Sequence, residues 1–153
     1  NGEGCGSVIP ELGIMPNNMC GEQDLNPFGF HGWAPRTRLP SMVCPSILLK
    51  DKRPVAVLGS GGSNRIKTVI PQIIMNLIDH KMSMEDAISA PRMHLEGHHL
   101  YYEPEAIYET SHIPEHFSYT AYEQADFFFG GVHACSPQEA VGDVRRGGVG
   151  FFQ

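Results

Sequence analysis

A strand, a glycine turn and an amphipathic helix follow one another without a linker, and this succession constrains the fold more than any other feature. Residues 54–59 are apolar and rich in β-branched types, which predicts a strand. Gly61 and Gly62 make the turn, and Ser63 or Asn64 is a suitable N-cap for the helix that follows. Apolar residues then recur at the three- and four-residue spacing of one buried helical face: Ile66, Val69, Ile70, Ile73, Ile74, Leu77 and Ile78.

Further elements surround this unit. Residues 46–50 are a second apolar run, and the polar turn 51–53 joins them to residues 54–59 as a hairpin. A short helix is predicted over residues 83–90, capped by Ser83 and ended by Pro91. We also expect a kink or a local break at Pro71, a short strand over 13–15, a helix over 105–110 and strands over 118–122 and 127–133. Hairpins with packed helices predict one α+β domain over residues 1–153, built as one half of a sandwich.

Composition excludes some partners. The 153 residues carry a formal charge of −6 and no cluster of Lys and Arg, so a nucleic-acid partner is not expected. No apolar run is long enough to cross a bilayer, so no membrane partner is expected either. The opening NGEG has no leader pattern, and we expect a processed or truncated product whose compartment is unknown. The four cysteines are expected to be buried or half-buried free thiols, although a disulfide stays open.

The glycine turn is the strongest candidate for chemistry. Free backbone N–H groups at the start of a helix form a cradle for an anion, helped by the helix dipole. The anion could be a phosphate, a carboxylate or the oxyanion of acyl transfer. The phosphate-binding glycine patterns are absent, which disfavours a nucleotide-binding module. The alternative is a tight strand-to-helix connection that binds nothing.

Several collinear motifs resemble the γ-glutamyltranspeptidase family, and they span nearly the whole chain. The turn GSGGSNRI at 59–66 is similar to the family's Gly-Ser-x-Gly-Gly-x-x-Arg-Ile signature. Four other segments match in the same order: GIMPNNM at 13–19, RLPSMVCPS at 38–46, AISAPRMH at 87–94 and GDVRRGG at 142–148.

The resemblance implies an N-terminal-nucleophile hydrolase, an αββα four-layer sandwich made when a precursor cuts itself. A threonine at the new N-terminus attacks a γ-glutamyl amide, such as that of glutathione, and the acyl group passes to water or an amino acid. Asn1 resembles an asparagine that follows this threonine, so the nucleophile is expected upstream and this chain alone is expected to be inactive. The implied partners are the upstream large-subunit part of the same precursor and a γ-glutamyl substrate, with a homo-oligomer of heterodimers as a further option.

The resemblance also assigns roles to individual residues. Gly61 and Gly62 would form the oxyanion hole through their backbone N–H groups. Glu22, assisted by Asn1, would hold the substrate's α-ammonium group. Ser41, with Met42 beside it, would bind the α-carboxylate.

Two departures from the family pattern weaken strict γ-glutamyl specificity. Pro40 replaces a serine of the carboxylate pocket, and residues 23–37 are short for a lid. A related acylase or other amidohydrolase of the same fold, or a non-catalytic binding domain, therefore remains open. No cofactor or metal is predicted. His94, His98 and His99 are close in the sequence but lack the spacing of metal ligands, so we expect His94 to pack beside Arg92 instead.

Overall fold

The computed structural model describes residues 4–107 and 109–152. Contacts divide the chain into two units, Asn1–Met42 and Val43–Gln153, which are described separately. Asn1 lies outside the described residues. The single domain expected over residues 1–153 stays a prediction.

The first unit is held by short turns rather than by regular elements. Two 3₁₀ turns, Met19–Gly21 and Gln23–Leu25, follow each other directly. The strand expected over residues 13–15 is reduced to a single bridge between Ile9 and Ile14. The buried Asn26 side chain joins these parts, because its Nδ2 donates to Cys20 O (3.0 Å) and Glu22 O (2.7 Å). Its Oδ1 accepts from the Trp33 indole at 2.9 Å, so one amide fixes the whole 20–33 loop.

The second unit contains the regular structure. Its elements, in chain order, are β1 (Ser46–Lys50), β2 (Arg53–Gly61), α1 (Ile66–Ile78), α2 (Met84–Ser89), β3 (Met93–Glu96), β4 (His99–Tyr102), β5 (Ser118–Ala121), β6 (Gly131–Cys135), β7 (Glu139–Val141) and β8 (Phe151–Phe152). The predicted hairpin, the two helices and the strand near residue 118 are confirmed.

An antiparallel sheet of order β1-β2-β6-β7-β8 forms the main layer. Residues of β2 alternate, so that Ala56 and Leu58 are buried while Val55 and Val57 are exposed. The buried face packs against α1 and α2, whose inward residues include Ile73 and complete the core.

The opposite face of this sheet is apolar and uncovered among the described residues. Ile47 and Val57 lie opposite each other in the register of β1 and β2, and both are exposed. Phe151 of β8 is also exposed. A Cβ added at Gly59 or Gly61 would meet nothing within 4 Å. A sheet with helices on one face and an apolar open face is one half of a layered sandwich, which confirms the predicted α+β class.

A second sheet of order β3-β4-β5 lies in the same unit, with β4 and β5 parallel. Tyr102 of β4 is buried and Tyr101 is half-buried. No helix of the described residues is both long and apolar enough to span a membrane.

Several local predictions are wrong. Neither Ser63 nor Asn64 caps α1, because a 3₁₀ turn over Ser63–Arg65 precedes the helix and Arg65 takes the cap position without a side-chain bond. Helix α1 continues through Pro71, so the local break is wrong, while the kink stays a prediction. Residues 105–107 are not helical, and a 3₁₀ turn forms over Thr110–His112 instead.

Two further expectations are corrected at the end of the chain and at the thiols. Phe127–Phe129 form a 3₁₀ turn, so the last predicted strand begins only at Gly131. All four cysteines are free thiols, as expected, but they are exposed rather than buried.

Candidate functional site

The glycine turn joins β2 to α1 through two consecutive residues of positive φ. Gly62 has φ 129° and Ser63 has φ 52°. Glycine is required at position 62, because a Cβ there would lie 2.9 Å from the Gly130 Cα. Gly130 has φ 77°, and a Cβ on it would lie 2.8 Å from Gly61 O. Two glycines facing each other therefore let the turn approach the start of β6.

The two predicted donor amides differ in their surroundings. None of the hydrogen bonds between described residues is donated by the Gly62 amide, whereas its carbonyl accepts from Arg65 N at 3.0 Å. Gly61 is still in the β2–β6 ladder, opposite Gly131. The next residue of β6, Val132, points its amide away from β2 to Asp143 Oδ2 (2.9 Å).

Because antiparallel pairs alternate between bonded and non-bonded, we expect the Gly61 amide to donate to Gly131 O, while Gly131 N donates to Ser60 Oγ. The geometry therefore favours Gly62 over Gly61 as an oxyanion donor. Ser63, which sequence reasoning considered only as a cap, shares the left-handed conformation at the turn. Its residue type gives no signal of this, since serine prefers caps and rarely adopts positive φ.

Side chains at the turn bind residues that are distant in the sequence, and these contacts hold the turn in place. Ser60 Oγ donates to Gly61 O at 2.7 Å and accepts from Gly131 N at 3.3 Å. Arg65 Nε donates to Phe128 O at 3.0 Å, and its guanidinium carbon lies 4.8 Å from the Phe128 ring centre.

A third side-chain contact connects the turn to β3. Asn64 Nδ2 donates to Glu96 Oε1 at 2.9 Å, and Glu96 Oε2 lies 3.5 Å from His94 Nε2. The buried His94 ring places its Nδ1 2.8 Å from Thr68 Oγ1 of α1. Burial lowers the pKa of His94, which keeps the ring neutral at pH 7. Thr68 Oγ1 also lies within bonding distance of Arg65 O (3.0 Å), so these side chains connect β3 to the first turn of α1.

The other predicted histidines lie apart from this group. His99 binds the hydroxyls of Ser118 (2.7 Å) and Thr120 (2.8 Å) through its two ring nitrogens. His98 lies against the rings of His116 and Phe117. Within residues 4–107 and 109–152, no three His, Cys, Asp or Glu side chains are grouped as a metal site would require.

His94 and Arg92 have different hydrogen-bond partners, and the packing of one against the other stays a prediction. Arg92 Nη2 lies 2.6 Å from Asp143 Oδ2, and both side chains are 1% exposed. Arg145 pairs with Glu103 through Nη2 (2.6 Å) and Nε (2.7 Å) and also reaches Asp143 Oδ1 at 3.3 Å. These four residues form a buried ionic quartet.

The charges of the quartet compensate one another. Burial alone would raise the pKa of Asp143, but the Arg92 charge and the amide bonds from Val132 and Arg145 outweigh it and lower that pKa. Burial opposes the charge of Arg145, yet Glu103 and Asp143 raise its pKa. The quartet joins the segment after α2 to the C-terminal segment and supports β6, which pairs with the glycine turn.

The remaining predicted site residues belong to the first unit. Glu22 is half-buried between the two 3₁₀ turns, and its carboxylate has no ion-pair partner among the described residues. Its main-chain oxygen is fixed by Asn26, which sequence reasoning missed. Ser41 is exposed and Met42 half-buried, in an irregular segment that also contains Pro40. The roles of Glu22, Ser41 and Met42 stay predictions.

The family model for Gamma-glutamyltranspeptidase matches residues 1–151 of this chain. The Acylase ACY 1 proenzyme of Pseudomonas sp. strain SE83 is 38% identical over 89 residues, which are 58% of this chain and 16% of that protein. The Glutathione hydrolase proenzyme of Bacillus subtilis strain 168 is 33% identical over 91 residues, which are 60% of this chain and 16% of that protein. The chain thus matches about one sixth of the length of each proenzyme.

Among solved structures, a γ-glutamyltranspeptidase from Pseudomonas nitroreducens complexed with L-DON superposes with a TM-score of 0.73 at 26% identity. The superposition covers 98% of this chain and 87% of that chain. The open sheet face and the helices on its other side therefore belong to the N-terminal-nucleophile hydrolase fold expected from the sequence.

Proposed function

The chain belongs to the γ-glutamyltranspeptidase family, and on that premise we propose that it forms the small-subunit part of an enzyme that cleaves γ-glutamyl amides. Glutathione represents this class of substrate. The acyl group would pass from the enzyme to water or to an amino acid.

The proposal rests on the environment of the Gly62 amide at the β2–α1 turn. It stands at a tight turn before a helix, and no hydrogen bond between described residues uses it. A tetrahedral intermediate of acyl transfer carries a negative oxygen, which such an amide stabilises more strongly than it does the planar carbonyl. Gly61 remains a second predicted donor, although its place in the ladder makes it the weaker one.

The nucleophile is assigned to a threonine outside these 153 residues. Two threonines of the second unit serve other contacts: the Thr68 hydroxyl binds Arg65 O and His94, and the Thr120 hydroxyl binds His99. An N-terminal threonine would act with its own α-amine as base, which an internal threonine cannot do. The threonine would come from the same precursor.

The open face of the main sheet supports a large-subunit partner. Ile47, Val57 and Phe151 are exposed there, and the glycines of β2 leave room for approaching side chains. Exposed apolar area of this kind marks a surface that another layer covers. We propose that a sheet of the large-subunit part packs on it, which would complete the αββα sandwich. Further assembly of such heterodimers is an additional proposal.

Two substitutions at Gly62 test the oxyanion role. Gly62→Pro removes the N–H group and cannot hold the φ of 129°, while Gly62→Ala keeps the N–H group and strains the same turn by adding a Cβ, so both variants disturb the backbone and only proline removes the donor. Full-length protein is assayed with γ-glutamyl-p-nitroanilide, and circular dichroism checks folding. Loss of one donor costs about 3 kcal/mol, so kcat of the proline variant should be at least a hundredfold below that of the alanine variant. Equal rates for the two folded variants would contradict the assignment.

An acylase activity is the second candidate, because the acylase proenzyme is 38% identical to this chain over the matched 89 residues. Pro40, which has no hydroxyl group in the proposed carboxylate pocket, favours the same alternative. Glutaryl-p-nitroanilide lacks the α-ammonium group of the γ-glutamyl substrate, so the ratio of kcat/KM for the two substrates separates the candidates.

A substitution at Glu22 separates the γ-glutamyl activity from the acylase activity. If Glu22 binds the α-ammonium group, Glu22→Gln should reduce kcat/KM for the γ-glutamyl substrate about tenfold and leave the glutaryl substrate nearly unaffected. A wild-type preference for the glutaryl substrate would favour the acylase.

A further inference from the structure

The turn that presents the Gly62 amide is strained. Ser63 has φ 52°, a conformation that residues with a Cβ rarely adopt. Strain of this kind persists only where surrounding contacts over-determine the backbone, and it is common at active sites. The turn therefore depends on contacts from other elements.

Two residues of the 3₁₀ turn, Asn64 and Arg65, are anchored by residues that are distant in the sequence. Phe128 O accepts from Arg65 at the helix side. Glu96 Oε1 accepts from Asn64, the central residue of the 3₁₀ turn and 32 positions away in the sequence. Since Arg65 also contributes a ring contact, the Glu96 bond is the anchor that can be removed most cleanly.

The Glu96 carboxylate is held in place although it is 47% exposed. Its second oxygen lies 3.5 Å from Nε2 of His94, whose ring is fully buried and fixed by Thr68 of α1. The hydrogen bond from Asn64 lowers the pKa of Glu96, so the acceptor is ionised at neutral pH and the bond is charge-assisted. Arg65 and Lys67 are the cations that face His94, and Glu96 is the facing anion.

We propose that Glu96 is a positioning residue: by holding Asn64, it keeps the Gly62–Ser63 turn in the conformation that directs the Gly62 amide to the oxyanion. This inference deepens the proposed function and rests on it. Glu96 touches neither substrate nor nucleophile in this account and acts only through the turn. A small displacement of an oxyanion donor reduces the rate of the chemical step more than it reduces substrate affinity.

Three variants of the full-length protein test the role. Glu96→Ala removes the acceptor, Glu96→Gln retains a carbonyl oxygen for Asn64, and Glu115→Ala removes an exposed acid elsewhere in the same unit. With γ-glutamyl-p-nitroanilide, kcat of Glu96→Ala should fall about ten- to a hundredfold while KM stays within about twofold. Glu96→Gln should recover most of kcat, and Glu115→Ala should match the wild type.

Hydrogen exchange supplies a readout that does not require turnover. The Arg65 amide is bonded to Gly62 O, so it should exchange faster in Glu96→Ala than in Glu96→Gln or Glu115→Ala. Unchanged kcat and unchanged exchange in Glu96→Ala would overturn the positioning role. A general loss of thermal stability without rescue by glutamine would overturn it as well. If the wild type has no turnover but the Arg65 amide responds as expected, the proposed function fails while the structural anchor stands.

Discussion

Replacing Asp143 by alanine leaves the Arg92 guanidinium without its ion-pair partner in an interior where both side chains are 1% exposed. Asp143 also accepts hydrogen bonds from the amides of Val132 and Arg145 and from Arg145 Nη1. Breaking a buried pair from one side costs about 3–5 kcal/mol, because the remaining charge stays buried. Arg92 keeps the carbonyls of Ile88 and Phe129, which places the expected loss near 3 kcal/mol.

Urea denaturation of the full-length protein measures this loss. With a slope of about 2 kcal/mol per molar urea, the midpoint of Asp143→Ala should fall by about 1.5 M. Asp79→Ala, at an exposed position just after α1, is the matched control and should stay within about 0.5 kcal/mol of the wild type. If the urea midpoints of the two variants fall equally, the ionic quartet does not stabilise the fold as described.

The Asp143 carboxylate should make the stability of the folded protein depend on pH in the acid range. Its pKa is lowered in the folded protein, so its contribution is complete above the ordinary aspartate pKa of about 4 and is lost as pH falls through the lower folded value. The wild type should therefore lose stability more steeply below pH 4 than Asp143→Asn, which cannot titrate at this position. Parallel curves for the two proteins would contradict the assigned charge state.

Three further changes test other parts of the fold. Gly130→Ala introduces a Cβ 2.8 Å from Gly61 O and should cost about 1–3 kcal/mol in urea, more than Gly97→Ala, where a Cβ meets nothing within 4 Å; equal costs would refute the close approach. Ser83→Ala removes the side-chain acceptor of Asp86 N and should cost about 1 kcal/mol in thermal unfolding, and an unchanged midpoint would exclude the cap. The lowered pKa of His94 predicts that stability falls as pH drops below about 6.5, and His94→Gln should flatten that part of the curve.

The hairpin and the long helix could be predicted because local signals agree with their tertiary environment. Residues 46–50 and 53–61 alternate around a polar turn, and the apolar spacing of α1 matches the buried face at Ile66, Val69, Ile70 and Ile73, whereas Ile78 at the end of the predicted stripe is exposed. The helix start could not be placed, because Ser63 is a good cap by type but adopts a left-handed conformation imposed by the adjoining glycine contact.

The polar contacts between residues distant in the sequence could not be predicted from the sequence. Charged residues are ordinarily exposed, so nothing local indicated that Arg92 and Asp143, 51 positions apart, are buried together. The same holds for the bond between Asn64 and Glu96, which joins a turn to a strand that follows two helices. The position of the glycine turn could be predicted from the sequence. The preference for Gly62 over Gly61 as the oxyanion donor follows only from the register of β2 with β6.

The position of a bound oxyanion shows whether Gly62 N is the donor. A γ-glutamyl phosphonate that forms a tetrahedral adduct with the full-length enzyme carries an anionic oxygen where the intermediate would have one. A crystal structure of this adduct should place that oxygen about 2.7–3.1 Å from Gly62 N. An anionic oxygen bound elsewhere, beyond about 4 Å from this amide, would contradict the assignment of the turn as the oxyanion hole.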